Sequence, residues 1–210
     1  MKILILGATG LVGRNALAQA LARPAITQVI APTRKPLTKH DKLTNPVAED
    51  LELLLADVGS FRPDAAICAT GTTINKAGSK EAFRFVDHDL PLSFARLAHQ
   101  VGAQNFALVS ALGASVDSFL LYPKVKGELE RDIREIGFTS LTILRPGIIE
   151  GEREEVRFAE SLVLKLLHFL APVLPRRFHL NHAPRIAEVL VDAVLTAEPG
   201  CHFGYSDSLV

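Results

Sequence analysis

Cysteine is scarce in this chain of 210 residues: Cys68 and Cys201 are too few for a disulfide framework. Cys68 falls in an apolar, strand-like run, where a thiol is a small core side chain. An excess of one charge is missing too. Twenty-three basic residues balance 23 acidic ones, which leaves no bulk electrostatic surface for nucleic acid. The N-terminus has neither the basic region nor the cleavage site of a signal peptide, so the expected location is cytoplasmic. No internal repeat, low-complexity tract or linker divides the chain. The apolar run from Phe158 to Leu174 carries Lys165 near its centre and falls short of the roughly 20 residues a membrane span needs, so no membrane partner is expected. His179 and His182 are three residues apart, but no nearby Cys, Asp or Glu completes a ligand set, and no metal is expected.

What is present is an ordinary globular composition, 48% hydrophobic and 22% charged, sufficient for one core. The chain is organised around its first fourteen residues. Ile3 to Leu6 is an uninterrupted apolar run that fits a strand buried on both faces. Gly7-x-x-Gly10-x-x-Gly13 follows at once, and then a helical pattern. Strand, glycine turn and helix N-terminus together suit a pyrophosphate, because free N–H groups and the helix dipole offset its charge and missing side chains allow close approach. The expected dinucleotide contacts are Gly7, Thr9, Gly10, Leu11, Val12 and Gly13, with Gly71 of Thr70-Gly71-Thr72-Thr73 joining them.

Strands alternate with helices along the rest of the chain. The pattern predicts a helix from Leu11 to Leu21 ended by Arg23-Pro24, and a strand at Gln28–Ala31. A polar loop follows over Pro32–Asn45, with a minimal strand at Pro46–Ala48 and a short helix at Asp50–Ala56. Further strands are expected at Asp64–Ala69, Asn105–Val109, Leu141–Leu144 and His202–Tyr205. Helices are expected at Ser79–Val101, kinked or broken by Pro91, and at Leu121–Ile136, Val156–Leu170 and Ile186–Thr196. Such alternation means right-handed crossovers and an α/β, doubly wound parallel sheet. The expected organisation is a single domain, 1–210, in which 151–200 contributes a small substrate-side segment.

Two further stretches carry chemistry. Thr33-Arg34-Lys35 stands about twenty residues past Gly13, where an enzyme using the unphosphorylated cofactor would place an acid on the ribose hydroxyls. A guanidinium there can clasp a 2′-phosphate, so Arg34 points to NADP. Tyr122-x-x-x-Lys126 puts both side chains on one helix face. An ammonium beside a phenol favours the phenolate and suits a tyrosine acting as general acid. Pro123 between them is tolerable only near a helix start.

With these residues in view, the chain resembles the atypical short-chain dehydrogenase/reductases over almost its whole length. The resemblance runs from the glycine motif through Val109-Ser110-Ala111-Leu112-Gly113-Ala114 and the Tyr122/Lys126 pair to Leu144-Arg145-Pro146-Gly147. Lys76-Ala77-Gly78, Phe85-Val86-Asp87-His88-Asp89 and the segment from Tyr122 to Glu128 are similar to the small group around the Tat-interacting oxidoreductase-like tumour suppressor. The resemblance implies a Rossmann fold with NADP above the carboxyl ends of the strands, Tyr122 as proton donor to a substrate carbonyl, and Lys126 as ligand of the nicotinamide ribose. It also implies a serine on the reacting carbonyl: Ser110 is the candidate and Ser115 its substitute, since Ala111 stands where close relatives repeat serine. Asp87 stands where an asparagine often supports the lysine. The expected activity is hydride transfer between NADP and a small carbonyl or alcohol. The alternatives are an NADP-sensing protein without turnover and a sugar-nucleotide epimerase or dehydratase. A small-molecule substrate and a possible homodimer complete the expectation.

Overall fold

A computed structural model describes residues 1–49, 59–150 and 180–209. Seven parallel strands form one sheet in the order β3-β2-β1-β4-β5-β6-β9, made by β1 (Lys2–Leu6), β2 (Gln28–Ile30), β3 (Leu43–Thr44), β4 (Ala65–Cys68), β5 (Asn105–Val109), β6 (Ser140–Arg145) and β9 (Gly200–Tyr205). β1 lies at the centre of the nucleotide half because its apolar run tolerates burial on both faces. Ile3 and Ile5 enter one core with α1 (Leu11–Ala22) and α6 (Ala183–Thr196), while Leu4 and Leu6 enter the other. That second core also takes Phe94 of α4 (Leu90–Gln100) and Leu129 of α5 (Leu121–Arg134). A sheet covered on both faces in this way is the doubly wound architecture expected from the alternating pattern.

Two local outcomes differ from the sequence reading, and a third gives the expected break at Pro91 its form. The third strand pairs at Leu43–Thr44, within the expected loop, and Val47 makes only an isolated bridge to Thr33. Pro46 has no N–H to give a ladder, which confines it to the sheet edge. The long helix over 79–101 is divided into α3 (Lys80–Arg84), a π-helical turn at Phe85–Asp89 and α4. Pro91 is the cause: it has no N–H to return to the preceding turn, and Leu90 N–H reaches back five residues to Phe85 O. A short helix α2 (Ile74–Ala77), capped by Thr73, follows the end of β4 and had no helical pattern to announce it.

Of the stretch 151–200 expected on the substrate side, Ala183–Thr196 packs in the Rossmann core against α1. The helices expected at Asp50–Ala56 and Val156–Leu170 lie outside the described residues, as does the apolar run Phe158–Leu174. A second, two-stranded parallel sheet joins β7 (Ile149–Glu150) to β8 (Asn181–His182). Asn181, fully buried, fixes this clasp: its Oδ1 accepts from Gly147 N–H at 2.7 Å and from the Ser206 hydroxyl at 2.9 Å, and its Nδ2 donates to Ser206 O at 2.7 Å.

Candidate functional site

A cleft of about 870 Å³ opens above the carboxyl ends of β1, β2 and β4. Its floor is the turn after β1. Gly7 has φ +87°, and a Cβ there would stand 2.7 Å from the Ala69 backbone. A Cβ on Gly13 would stand 2.0 Å from Gly7 O, so α1 packs against the turn only because both side chains are absent. Gly10 caps α1 without a side-chain hydrogen bond, and no acidic residue occupies the first turn. The helix therefore presents its N–H groups and positive dipole end to the cleft, as a phosphate requires. Gly7, Thr9, Gly10, Arg34 and Gly71 line the cleft, while Leu11, Val12 and Gly13 form the first turn beneath it. Thr33, 4% exposed, accepts from Asn45 Nδ2 at 2.8 Å and donates to Lys35 O at 2.7 Å, so the end of β2 is held by neutral groups and Arg34 is left exposed on the wall. Lys76 of α2 and Glu49 also line the cleft. Lys76 lay in a quoted motif, whereas nothing in the pattern marked Glu49.

Beyond Gly71 lies the second half of the site. A Cβ on Gly71 would sit 3.5 Å from Asp87 Oδ1 and 4.0 Å from Lys126 Nζ, so the cleft wall backs directly onto these two groups. Lys126 is 2% exposed and Asp87 is fully buried; their charged atoms are 2.8 Å apart. Asp87 Oδ2 accepts from Thr72 N–H at 2.9 Å, while Oδ1 has no well-aligned hydrogen-bond donor and relies on the ion pair. Tyr122 lies in the first turn of α5, one turn before Lys126, where Pro123 is accommodated. Its ring meets Phe83 of α3 at 5.8 Å between centroids and remains 39% exposed.

Glu130 extends the same helical stripe by one more turn and is 4% exposed. Ser110, at the end of β5, donates its hydroxyl to Glu130 Oε1, and Arg145 of β6 clasps the same carboxylate, with Nε donating to Oε1 at 3.0 Å. Hydrogen bonds to Glu130 outweigh desolvation and hold the Arg145 guanidinium above its ordinary range. The spacing 122, 126, 130 was the signal for Glu130. Ser115 is half-buried; its N–H donates to Pro123 O at 3.0 Å, and its backbone crosses so close to α5 that a Cβ on Gly127 would stand 2.3 Å from Ser115 C. Its hydroxyl accepts from Asp117 N–H at 3.3 Å and keeps its own proton to give.

No protein-family model matches the chain. Curated relatives do. Protein fmp52 of Emericella nidulans is 36% identical over 168 residues, 77% of this chain and 72% of that protein. FMP52 of Candida albicans is 40% identical over 162 residues, 74% and 70% of the two chains. Protein HTATIP2 of Rattus norvegicus is 36% identical over 168 residues, 78% and 69% of the two. The chain belongs to the Fmp52 and HTATIP2 family. Fmp52 and FMP52 are named mitochondrial proteins, which overturns the cytoplasmic placement: a missing secretory signal excludes one route only and says nothing of this organelle. Among the described residues, no helix is long and apolar enough to cross a membrane.

Solved structures share the family's fold at low identity. Bordetella bronchiseptica WbmH in complex with NAD+ superposes with a TM-score of 0.72 at 16% identity, covering 98% of this chain and 75% of that one. The Thermotoga maritima UDP-glucose 4-epimerase gives 0.69 at 14%, covering 99% and 77%. The doubly wound Rossmann architecture expected from the sequence is thus the one this chain adopts.

Proposed function

We propose that this Fmp52 and HTATIP2 relative is an NADP-dependent oxidoreductase acting on a small carbonyl or alcohol. One observation carries the reading: Lys126, with Tyr122 one turn before it on the same helix, stands directly behind the wall of a glycine-cradled, dinucleotide-sized cleft. The cradle fits the cofactor, since Gly7 and Gly10 line the cleft without side chains and the uncapped N-terminus of α1 offers it N–H groups. Gly7, Thr9, Gly10 and the first turn of α1 hold the pyrophosphate, Arg34 takes the 2′-phosphate, and Lys126 takes the nicotinamide ribose. The bound nicotinamide supplies the hydride. Tyr122 gives a proton to the substrate oxygen, and the hydroxyl of Ser115 orients that oxygen. Ser115 is preferred over Ser110 because the Ser110 proton already rests on Glu130. A screen of NADPH oxidation against aldehydes, ketones and quinones tests the assignment, and Ser115→Ala should then lower kcat more than Ser110→Ala.

The second reading is a nucleotide-binding regulator without turnover. It is favoured by Ala111, 5% exposed in place of a hydroxyl, together with the engaged Ser110. Tight NADPH binding with no oxidation across the whole panel would decide for it.

A further inference from the structure

The buried ion pair between Asp87 and Lys126 does more than replace a neutral amide. Pro91 forces the π-helical turn at Phe85–Asp89, and that turn carries Asp87 inward, beneath Gly71, where it receives Thr72 N–H and faces Lys126 Nζ at 2.8 Å. An unpaired ammonium one helical turn from a phenol would stabilise the phenolate. Here the ammonium is matched by a carboxylate, and the phenol one turn away meets a short dipole whose field falls off faster than that of a charge.

Several charges on the elements around the pair are matched among themselves, while Lys76 of α2 and Lys124 of α5 are exposed. Arg84 of α3 pairs with Glu128 of α5 at 2.5 Å. His88 on the π-helical turn lies between Asp89 at 2.7 Å and Asp132 of α5 at 2.9 Å. Glu130 of α5 is held by Arg145 of β6 and Ser110 of β5. On β4, burial pushes the Cys68 thiol upward and keeps it neutral. Asp87 is thus the one carboxylate matched to Lys126 among the described residues.

We propose that Asp87 is a charge-balancing, positioning residue, which cancels the Lys126 ammonium so that the Tyr122 phenol keeps its proton through neutral pH and the site is set to donate a proton rather than to accept one. The inference rests on the role given to Tyr122 above, and its test needs no substrate. The chain has no tryptophan and two tyrosines, Tyr122 and Tyr205. In a Tyr205→Phe background, the ultraviolet absorbance of tyrosinate therefore follows Tyr122 alone.

Asp87→Asn should lower the Tyr122 ionisation midpoint by about one pH unit or more, the low end of what a nearby opposite charge produces. Asp87→Glu should return it toward the parent value. An unchanged midpoint in Asp87→Asn overturns the proposal. The double variant Asp87→Asn/Lys126→Met leaves no buried charge without a partner, and so it remains informative if the single variant fails to fold. It should titrate as the parent does, and a midpoint raised by about one unit or more would mean that the lysine charge dominates, which also overturns the proposal. Failure of the enzyme reading looks different. The Asp87→Asn shift in a protein that reduces no carbonyl leaves the charge balance standing and sinks the catalytic role, whereas turnover without the shift sinks the balance alone.

Discussion

The phenol of Tyr122 and the glycine turn after β1 belong to different parts of the chain, so their losses should separate. Tyr122→Phe is expected to lower kcat by about 10²- to 10⁴-fold, the usual worth of a positioned general acid, while NADPH affinity stays within about twofold of wild type. Stopped-flow turnover and fluorescence titration read the two quantities, and a wild-type rate in the Phe variant would remove the phenol from the mechanism. Arg34 is exposed on the cleft wall beside a buried, neutral Thr33, so its charge is free for the cofactor. A charge-assisted bond to a phosphate contributes about 1.5 to 3 kcal/mol, hence Arg34→Glu should erode the preference for NADPH over NADH by tenfold or more. Calorimetry with both cofactors checks this, and equal affinities in the wild type would count against the assignment.

At the scale of elements, the β1 turn and α1 act as one body. Gly13→Ala would drive a methyl group into Gly7 O, and the backbone has no way to yield without opening the cradle. The expected result is a loss of about 1 to 3 kcal/mol in thermal unfolding together with weakened NADPH binding. A variant with both properties intact would show that the close approach is not needed. The π-helical turn and α5 are joined differently, through His88 and Asp132. Burial pushes the Asp132 carboxyl up, but hydrogen bonds from Arg131 and His88 outweigh it and leave it below the ordinary range. The unfolded chain then binds that proton more readily than the folded one, so this contribution is complete above the unfolded value of about 4 and fades as pH falls through the lower folded value. Asp132→Asn should therefore cost stability near neutrality, where this contribution is complete, and converge on the parent as pH falls below the folded value, which flattens the acid limb of a stability-versus-pH curve measured by urea unfolding. Six of the seven strands of the main sheet, the glycine turn and the Tyr122/Lys126 stripe were legible because periodicity and spacing are local, whereas β3 fell within an expected loop. The division of the helix at Pro91 was legible as a break but not as an inward turn of Asp87, since that depends on what lies beneath Gly71. The engagement of Ser110 by Glu130 joins residues twenty apart, and no local pattern announces it.

For the whole molecule, the clamp of Ser110, Glu130 and Arg145 ties β5, α5 and β6 together just below the site, with the Arg145 guanidinium over the Phe203 ring of β9 at 4.8 Å. Removing one partner of a buried pair costs about 3 to 5 kcal/mol, and the partial exposure of Arg145 places Glu130→Ala near the lower figure. Urea unfolding would measure it, and a loss under about 1 kcal/mol would show the clamp to be slack. The Asn181 clasp has another kind of consequence. Because Ile149 pairs with Asn181 and Glu150 with His182, the chain leaves the Rossmann core and returns to it across a gap of about one strand spacing, 4.8 Å. Whatever lies between those two ends, its length weighs little on the core, since each doubling of a loop costs only about 0.6 kcal/mol. A chimera that takes residues 151–179 from a relative should therefore keep the thermal stability of the Rossmann core, because the two ends it must meet are already held side by side by the Asn181 clasp.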